Sequence, residues 1–518
     1  MRKPVVSAAE AVAKIPDGVT IGIGGSGAGH AVPDLLLKAL GDRFRESGRP
    51  RKITLLHAFG VGDQGSRGLQ HVAYPDMYRR VVGGHWSMQP TMAKLAVENA
   101  FEAYCLPAGV VTQLFHTAAA GSPGWLTHVG LHTFIDPRLE GGKLNAKATE
   151  DLVELVERDG REWLFYRTIP VDVALLHAWE ADPFGNLGMT KEAGFWHNCP
   201  LAQAAKASGG ITIAAVRELV PERGIHPRDV VVPGCFVDYV VHDAHQGMTF
   251  QIDFDPALNG DAIKPDSEFG EFPLTVRKVI ARRAALELAP GAVLNIGFGI
   301  PDGVVKVARE QGLADTILPT IEHGQFGGIP AEGLDFGASY NAQAIVQTTH
   351  MFDFYQGRGV DEAFLGFLQI DRQGNVNVSK LGGTVIGTGG FIDIHQRARK
   401  VVFCGTLSVR GRPELTGDGL RYAALGQPKL VPEVLQVTFS ARYALKQGQE
   451  ILYVTEAAVF RLTENGVVLE EIAPGLDLER DVISQMGFRP RLAEPLRTMP
   501  VELFREPLLP RSLFRYYR

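Results

Sequence analysis

One stretch of the sequence indicates both the fold and the chemistry: Thr316-Ile-Leu-Pro-Thr-Ile-Glu322-His-Gly-Gln-Phe-Gly-Gly328. The apolar run from Thr316 to Ile321 is typical of a buried strand, and the glycines after it are typical of a turn. A carboxylate at that junction avoids the cost of core burial and lies where the backbone can bend towards a ligand. Glu322 is therefore predicted to be a reactive carboxylate, with a capping acid as the alternative.

Length and composition indicate a globular enzyme of more than one domain. With 518 residues, of which 45% are hydrophobic and 21% charged, the chain predicts two large domains or three smaller ones. The 59 glycines suggest many tight turns. The net charge of -6 provides no basic surface for nucleic acid or an anionic membrane, so neither is expected as a partner.

The cysteines and the N-terminal segment exclude several further classes. The four cysteines are far apart in sequence and form no C-x-x-C pair, so we expect free thiols and neither a disulfide framework nor a metal site. Glu10, Lys14 and Asp17 interrupt any signal-peptide core, and no run of 18 apolar residues follows. These features predict a soluble, cytoplasmic protein.

The two halves of the chain carry a repeated segment. Eight residues recur 189 positions later (360 − 171 = 189) within 21 aligned positions: Val171, Asp172, Ala174, Leu176, Asp182, Gly185, Asn186 and Lys191 match Val360, Asp361, Ala363, Leu365, Asp371, Gly374, Asn375 and Lys380. Chance would give roughly one or two identities. Both copies are typical of a strand, a D-x-x-G-N turn and a second strand.

A second repeat supports a duplicated α/β chain. Gly18–Gly24 resembles Gly291–Gly297, and each is followed by Pro-Asp and a helical pattern. We therefore predict two related α/β domains, each an open, mostly parallel sheet with its ligand at the carboxyl ends of the strands. The predicted bounds are 1–255 for the first domain, 256–273 for a linker rich in Pro, Gly and acids, and 274–518 for the second, with a helix over 274–288. The tail 504–518 is interpreted as an arm on a neighbouring subunit.

Three glycine clusters are candidates for ligand binding. Gly22–Gly27 satisfies G-x-G-x-x-G, but Pro33-Asp34 delays the helix, so a dinucleotide site is a distant alternative. Gly297-Phe-Gly-Ile-Pro301 ends a strand before a helix, which leaves N–H groups free for an anion or an oxyanion. Close packing of strand on helix is the other interpretation. Gly387–Asp393 admits the same two interpretations.

Taken together, these motifs resemble those of the family I coenzyme A transferases. The likeness is densest between Asn295 and Leu407, covers nearly the whole chain, and is greatest to fused two-half members that act on short acyl-CoAs and acetate or propionate. The segments that carry it are Gly297–Pro301, Glu322–Gly328, Phe336–Asn341, Phe352–Tyr355, Gly387–Asp393 and Val402–Thr406 in the second half, with Gly24-Gly25, Pro33, Leu106–Gly109 and Thr133–Arg138 in the first.

The resemblance implies ping-pong transfer of CoA between an acyl-CoA and an acetate-like carboxylate, with Glu322 as the nucleophile that becomes a glutamyl-CoA thioester. It also implies that CoA is a substrate, that no cofactor or metal is needed, and that the assembly is a homodimer or homotetramer. Backbone N–H groups are implied as oxyanion or CoA contacts at Phe298, Gly299, Ile300, Gly389 and Gly390. Candidates for orienting or contacting the substrate are Asn341, Gly24, Gly25 and Ala108.

Two positions depart from the family pattern. His323 stands where a small or amide-bearing residue is usual, and either titrates beside Glu322 or points away and packs. Ala108 stands where a Gln is usual, so a hydrogen bond to Glu322 is missing or comes from another residue. Two alternatives to transfer remain open, an acyl-CoA hydrolase on the same fold and a non-catalytic sensor of acyl-CoA or sugar phosphate. The absence of an appended DNA-binding helix pair counts against a sensor.

Overall fold

The computed structural model describes residues 2–517, and its first half is built on one large sheet. The strands of this half are β1 (Thr20–Ile23), β2 (Ile53–His57), β3 (Tyr78–Gly83), β4 (Glu102–Cys105), β5 (Gly124–Thr127), β6 (Val153–Arg158), β7 (Arg161–Arg167), β8 (Val173–Ala181), β9 (Leu187–Gly188), β10 (Ile211–Leu219), β11 (Val230–Val232) and β12 (Tyr239–His242). The helices are α1 (Ala8–Val12), α2 (Asp34–Ser47), α3 (Pro90–Val97), α4 (Ala108–Ala119), α5 (Asn198–Ala207) and, in the predicted linker, α6 (Pro256–Asn259).

The nine-stranded sheet of the first half has the order β11-β9-β8-β1-β2-β3-β4, with β10 pairing both β8 and β12. Its central strands run parallel, and β9 is the antiparallel partner of both β8 and β11. All nine residues of β8 are buried. A strand covered on both faces is typical of a parallel sheet with helices on either side, which explains its nearly continuous apolar sequence.

The second half repeats this plan with more irregular additions. Its strands are β13 (Val293–Ile296), β14 (Leu318–Ile321), β15 (Gln325–Phe326), β16 (Ile329–Pro330), β17 (Ser339–Tyr340), β18 (Ala344–Ile345), β19 (Glu362–Gly366), β20 (Gln369–Asp371), β21 (Val376–Asn377), β22 (Lys380–Leu381), β23 (Thr384–Val385), β24 (Lys400–Cys404), β25 (Ser408–Val409), β26 (Arg412–Leu415), β27 (Leu420–Ala424), β28 (Gln427–Pro428), β29 (Leu430–Val431), β30 (Glu450–Val454), β31 (Ala458–Thr463), β32 (Gly466–Ile472) and β33 (Arg491–Thr498). Its helices are α7 (Val276–Ala285), α8 (Gly303–Glu310), α9 (Thr348–Gln356), α10 (Phe391–His395) and α11 (Ala441–Lys446).

The ten-stranded sheet of the second half has the order β18-β15-β14-β13-β19-β24-β30-β31-β32-β33. The five strands from β14 to β30 in this order are parallel to one another. The predicted fold class, α/β with two open and mostly parallel sheets, is confirmed. The helix predicted over 274–288 is present as α7, and the pattern after Pro33 is α2.

The repeated turn is the same in both halves at the level of hydrogen bonds. Asp182 Oδ1 accepts from the amides two and four residues further on, at 2.8 and 3.0 Å. Asp371 Oδ1 accepts from the same two relative positions, both at 2.9 Å. The side-chain amides of Asn186 and Asn375 donate back to these aspartates. The predicted D-x-x-G-N turns are therefore confirmed, and each closes an antiparallel strand pair.

Two features of the connections bear on the sequence predictions. The strands of the first sheet end at His242 and those of the second begin at Val293, with the predicted linker between them, and the bounds at 255 and 273 stay a prediction. Gly27 lies before α2 rather than in it, which removes the helix packing that a dinucleotide fingerprint requires.

The interpretation of the tail as an arm is wrong for the residues described, 504–517. Phe504, Leu509 and Phe514 are buried against the same chain. The guanidinium of Arg282 donates to carbonyls of the segment that leads into the tail, including that of Leu503 at 3.4 Å. Burial of these apolar side chains fastens the tail to its own second half. Arg518 lies outside the described residues.

Candidate active site

Glu322 is the first residue after β14, at the carboxyl edge of the second sheet. The register of β13 and β14 pairs Asn295 with Thr320, so the loop that follows β13 and the turn that carries Glu322 leave the same edge. The amide of Gly324 donates to the carbonyl of Ile321 at 3.0 Å and closes the turn. The predicted strand and turn around Glu322 are present as β14 and its connection to β15.

A buried polar network fixes the strand end beneath Glu322. The hydroxyl of Tyr355 lies 2.8 Å from Thr320 Oγ1, and Asn295 Nδ2 donates to it at 3.1 Å. Thr320 Oγ1 in turn donates to the carbonyl of Leu294 at 2.6 Å. Burial raises the pKa of Tyr355, and the charge of Glu322 raises it further. Tyr355 is therefore a neutral phenol that holds the two strands in register.

The glycine loop before α10 lies directly against the side chain of Glu322. A Cβ atom built on Gly390 would lie 3.3 Å from Glu322 Cγ and 3.2 Å from Phe352 Cε1. The amide of Gly390 has no hydrogen-bond partner among residues 2–517. The amide of Gly389, by contrast, donates to the carbonyl of Gly84 at 2.9 Å. The prediction that both amides are free is corrected by this bond, which leaves Gly390 as the available donor of the pair.

The loop after β13 has the open backbone that its glycines predict. Within residues 2–517, the amides of Phe298, Gly299 and Ile300 have no hydrogen-bond partner. Gly299 has a φ of +92°, and its carbonyl accepts from Arg277 Nη2 at 3.0 Å. The Phe298 side chain is 60% exposed. These amides remain candidate donors at the edge that carries Glu322.

Residues of the first half hold the Gly390 loop in place. The amide of Ala108 donates to the carbonyl of Gly389 at 2.9 Å, and the amide of Gly109 donates to Asp393 Oδ2 at 3.1 Å. Asp393 Oδ1 accepts from Gln356 Nε2 at 3.0 Å. Ala108 thus contacts the site through its backbone. Asp393, which the sequence analysis did not single out, is a buried carboxylate that joins the two halves behind Glu322.

Gly24 and Gly25 reach the site indirectly. Gly25 has a φ of +83°, and a Cβ atom there would lie 2.4 Å from the carbonyl oxygen of Ala31, so only glycine fits this turn. The turn brings Ser26 Oγ to 2.7 Å from His323 Nε2. No sequence pattern predicted the contact between Ser26 and His323, because the two residues lie in different halves.

Asn341 is a structural residue. Its Oδ1 accepts from the amide of Lys264 at 2.8 Å, and its Nδ2 donates to the carbonyl of Lys264 at 2.9 Å. Both ends of the side-chain amide are therefore used to fasten the predicted linker. Asn341 does not orient the carboxylate of Glu322 through this side chain.

His323 packs against aromatic rings, as in the second of the two interpretations given above. Its ring centroid lies 4.6 Å from that of Phe59 and 5.3 Å from that of Trp196. Burial lowers the pKa of His323 well below its usual value, and the neighbouring histidines His30 and His197 lower it further. The ring is therefore neutral and does not titrate beside Glu322.

Comparison with known proteins identifies the family. The coenzyme A transferase family model matches residues 5–243. Over 506 residues the chain is 40% identical to the acetate CoA-transferase YdiF of Escherichia coli (strain K12), covering 97% of this chain and 95% of that one. It is 43% identical over 511 residues to the caffeate CoA-transferase of Acetobacterium woodii, with 97% of each chain covered.

The chain belongs to the coenzyme A transferase family. It is an enzyme, a CoA-transferase, as these full-length relatives are. The crystal structure of the acyl-CoA transferase YdiF apoenzyme from Escherichia coli O157:H7 superimposes with a TM-score of 0.94 at 39% identity, covering 98% of this chain and 97% of that chain. Within residues 2–517 of this CoA-transferase, none of the helices is both long enough and apolar enough to cross a membrane.

Two carboxyl groups at the candidate site of this CoA-transferase, those of Glu322 and Asp393, have raised pKa values. Burial raises the pKa of Glu322 to about 7, although a hydrogen bond from its own backbone N–H lowers this pKa in part. Burial also raises the pKa of Asp393 to about 7; hydrogen bonds from Gly109 and Gln356 lower it, and the charge of Glu322 raises it. A carboxylate in such surroundings is poorly solvated, which makes it more nucleophilic than one in water.

Proposed function

We propose that this enzyme transfers CoA between a short-chain acyl-CoA and a free carboxylate, by ping-pong chemistry through a glutamyl-CoA thioester on Glu322. One observation carries the proposal: Glu322 is partly buried in surroundings that raise its pKa, it lies against the glycine loop, and no cation or hydrogen-bonding side chain is bonded to it among residues 2–517. A structural carboxylate in such a place would be expected to have a partner. A nucleophile must keep its oxygens free.

The chemistry requires only this carboxylate and oxyanion donors. Glu322 attacks the thioester carbonyl, the C–S bond breaks, and an acyl-glutamyl anhydride and CoA thiolate form. The thiolate attacks the glutamyl carbonyl of the anhydride and releases the free acid, which leaves glutamyl-CoA. A second acid then takes CoA by the reverse steps. One thioester replaces another, so the exchange is nearly thermoneutral and we propose that no cofactor is used, with CoA as a substrate.

Each addition passes through an oxyanion, and the free amide of Gly390 is the proposed donor nearest to Glu322. The amides of Phe298, Gly299 and Ile300 are proposed as the second set, since their loop leaves the same sheet edge. Backbone donors of this kind are preorganised and cost little to orient during the reaction.

The relatives support carboxylic acids as acceptors without fixing which acid. One is named for acetate and another for caffeate. We propose a monocarboxylic acid and its CoA thioester as the substrates. We propose further that the enzyme works in the cytoplasm as a homodimer or homotetramer, which light scattering of the purified protein tests.

Trapping of the covalent intermediate tests the proposed function. Incubation with acetyl-CoA and no acceptor acid is expected to leave CoA attached to the peptide that contains Glu322, detected by mass spectrometry. Borohydride added at this stage reduces the thioester and should inactivate the enzyme. Free CoA released continuously without any added acid would instead indicate a hydrolase, and stoichiometric binding without any adduct would indicate a sensor.

The pH dependence of transfer should report the raised pKa of Glu322. Only the ionised carboxylate attacks, and its pKa in the folded enzyme is about 7. We expect kcat/KM for acetyl-CoA to rise about tenfold per pH unit below 7 and to level off at about pH 8. Initial rates from pH 5 to 9 measure this profile. A rate that hardly changes from pH 5.5 to 9, as expected for a glutamate of ordinary pKa, would contradict the proposed environment.

A further inference from the structure

A cluster of buried rings lies beside Glu322 and is not used by the chemistry proposed above. We call Phe59, Trp196, His30 and His323 the ring cluster. The centroid of Trp196 lies 5.2 Å from that of His30 and 5.3 Å from that of His323, and Phe59 lies 4.6 Å from His323. All four side chains are at most 5% exposed.

The ring cluster is continuous with the reacting carboxylate. His323 follows Glu322 in the chain. The ring of Phe59 stacks on that of Phe352 at 6.1 Å, and Phe352 lies against Gly390 together with the side chain of Glu322. A group attached to the acyl carbon could therefore extend from Glu322 towards the cluster.

One member of the cluster is an acceptor without a partner. His30 Nε2 lies 3.1 Å from the carbonyl oxygen of Asp335. A carbonyl oxygen can only accept, so Nε2 carries the ring hydrogen and Nδ1 has a free lone pair. His30 Nδ1 is buried and has no hydrogen-bond partner among residues 2–517.

Another member is a donor without a partner. The indole Nε1–H of Trp196 is a donor only, and within residues 2–517 this buried atom has no acceptor. Buried polar groups of native proteins are nearly always hydrogen-bonded, to protein or to water, so an unused donor and an unused acceptor on rings with centroids 5.2 Å apart leave two bonds for a ligand or a water to make.

Ser26 and His323 supply a second unused hydrogen. The hydroxyl and the neutral imidazole together carry two hydrogens, and the bond between Oγ and Nε2 uses one of them. The other is either the Ser26 hydroxyl hydrogen or that of His323 Nδ1, which has no partner in the part of the chain described, 2–517.

The charge of the cluster selects among ligand groups. Burial lowers the pKa of His30 and that of His323, so both rings are neutral at pH 7. The four side chains of the cluster thus offer no cation to balance a second carboxylate, and burying an unpaired charge is costly. An uncharged group that both accepts from Trp196 and donates to His30 matches the set, and a hydroxyl is the simplest such group.

We propose that the ring cluster binds a hydroxyl group on the acyl chain, with Trp196 Nε1–H donating to the hydroxyl oxygen and His30 Nδ1 accepting its hydrogen. Trp196, His30 and the pair of Ser26 and His323 thereby determine specificity for hydroxy acids and their CoA thioesters. This rests on the proposed function, in which the acid that accepts CoA reacts at Glu322.

The test compares matched acids as acceptors, with acetyl-CoA as donor. The pairs are 3-hydroxybutyrate with butyrate, and 2-hydroxypropionate with propionate. A site built to bond a hydroxyl rejects the analogue without it, so for at least one pair we expect kcat/KM to favour the hydroxy acid by about 10² or more. Trp196→Phe removes the indole donor and should reduce this ratio at least about tenfold.

Trp179→Phe is the matched control, because Trp179 is a buried tryptophan of the same half whose Nε1 donates to Glu218 at 2.9 Å, away from the ring cluster. It should leave the ratio unchanged. Wild-type ratios near or below one for both pairs would overturn the proposal without any variant having to fold. A high ratio that Trp196→Phe leaves unchanged would also overturn it, and would indicate that other residues recognise the hydroxyl. If none of the four acids accepts CoA, the proposed function itself fails.

Discussion

Glu322→Gln is expected to abolish CoA transfer, with a loss in kcat on the order of 10⁴-fold or more. The amide has nearly the shape of the carboxylate but does not attack a thioester, so neither anhydride nor glutamyl-CoA can form. Steady-state transfer from acetyl-CoA to propionate measures the loss, and mass spectrometry of the isolated protein should find no CoA adduct.

Glu332→Gln is the matched control for this loss. Glu332 lies ten positions further on in the same half, its side chain is 72% exposed, and it pairs with Lys306 at 2.7 Å. An ion pair whose carboxylate is solvent-exposed contributes little to stability, so this variant should fold and transfer CoA at the wild-type rate. Glu322→Ala with near wild-type transfer would show that another group is the nucleophile.

The same Glu322→Gln variant should be more stable than the wild type at pH 8. The folded pKa of Glu322 is about 7, above the ordinary value of 4.5. As pH rises from 4.5 to 7 the unfolded chain loses this proton first, so wild-type stability falls across that interval and stays lower above it. Glutamine lacks this penalty, which we put at about 1–3 kcal/mol since the side chain is only partly buried. Urea unfolding at pH 4.5 and pH 8 should show a difference only at pH 8.

Sequence patterns predicted the longer helices and strands because their apolar residues recur at helical spacing or form continuous runs. The helix expected over 274–288 is α7, and the apolar run before Glu322 is β14. The region 408–431 could not be predicted in the same way. It holds five short strands, β25 to β29, and strands of two to five residues are too short for alternation to distinguish them from loops.

The sequence predicted those site residues whose role can be inferred from their immediate neighbours in the chain. It did not predict the residues whose role depends on contacts between the two halves. Glu322 follows from the residues on either side of it. Ser26, Gly84 and Asp393 do not, because their roles depend on contacts between distant segments that one sequence does not encode as a motif. For the same reason the sequence could not distinguish Gly390, with a free amide, from Gly389, whose amide is bonded to Gly84.

Gly390→Ala should reduce transfer by about 10² to 10³, which is the range for loss of an oxyanion donor. Gly390 has a φ of -83°, so alanine can adopt this backbone conformation without strain. The expected loss of transfer therefore comes only from the space that the added methyl group occupies. The new methyl would lie 3.3 Å from Glu322 Cγ, 3.2 Å from Phe352 Cε1 and 3.3 Å from Ile394 Cδ1. Either the carboxylate or the loop must then move away from the other.

Gly270→Ala is the control for this substitution, because a Cβ atom there meets nothing within 4 Å.

Single-turnover formation of the CoA adduct shows whether Gly390→Ala displaces the loop or the carboxylate of Glu322. A displaced loop leaves Glu322 able to react but without its donor, so the adduct should form slowly and still reach full occupancy. Wild-type rates in both assays would show that the methyl displaces neither the loop nor the carboxylate, and would contradict the expected loss.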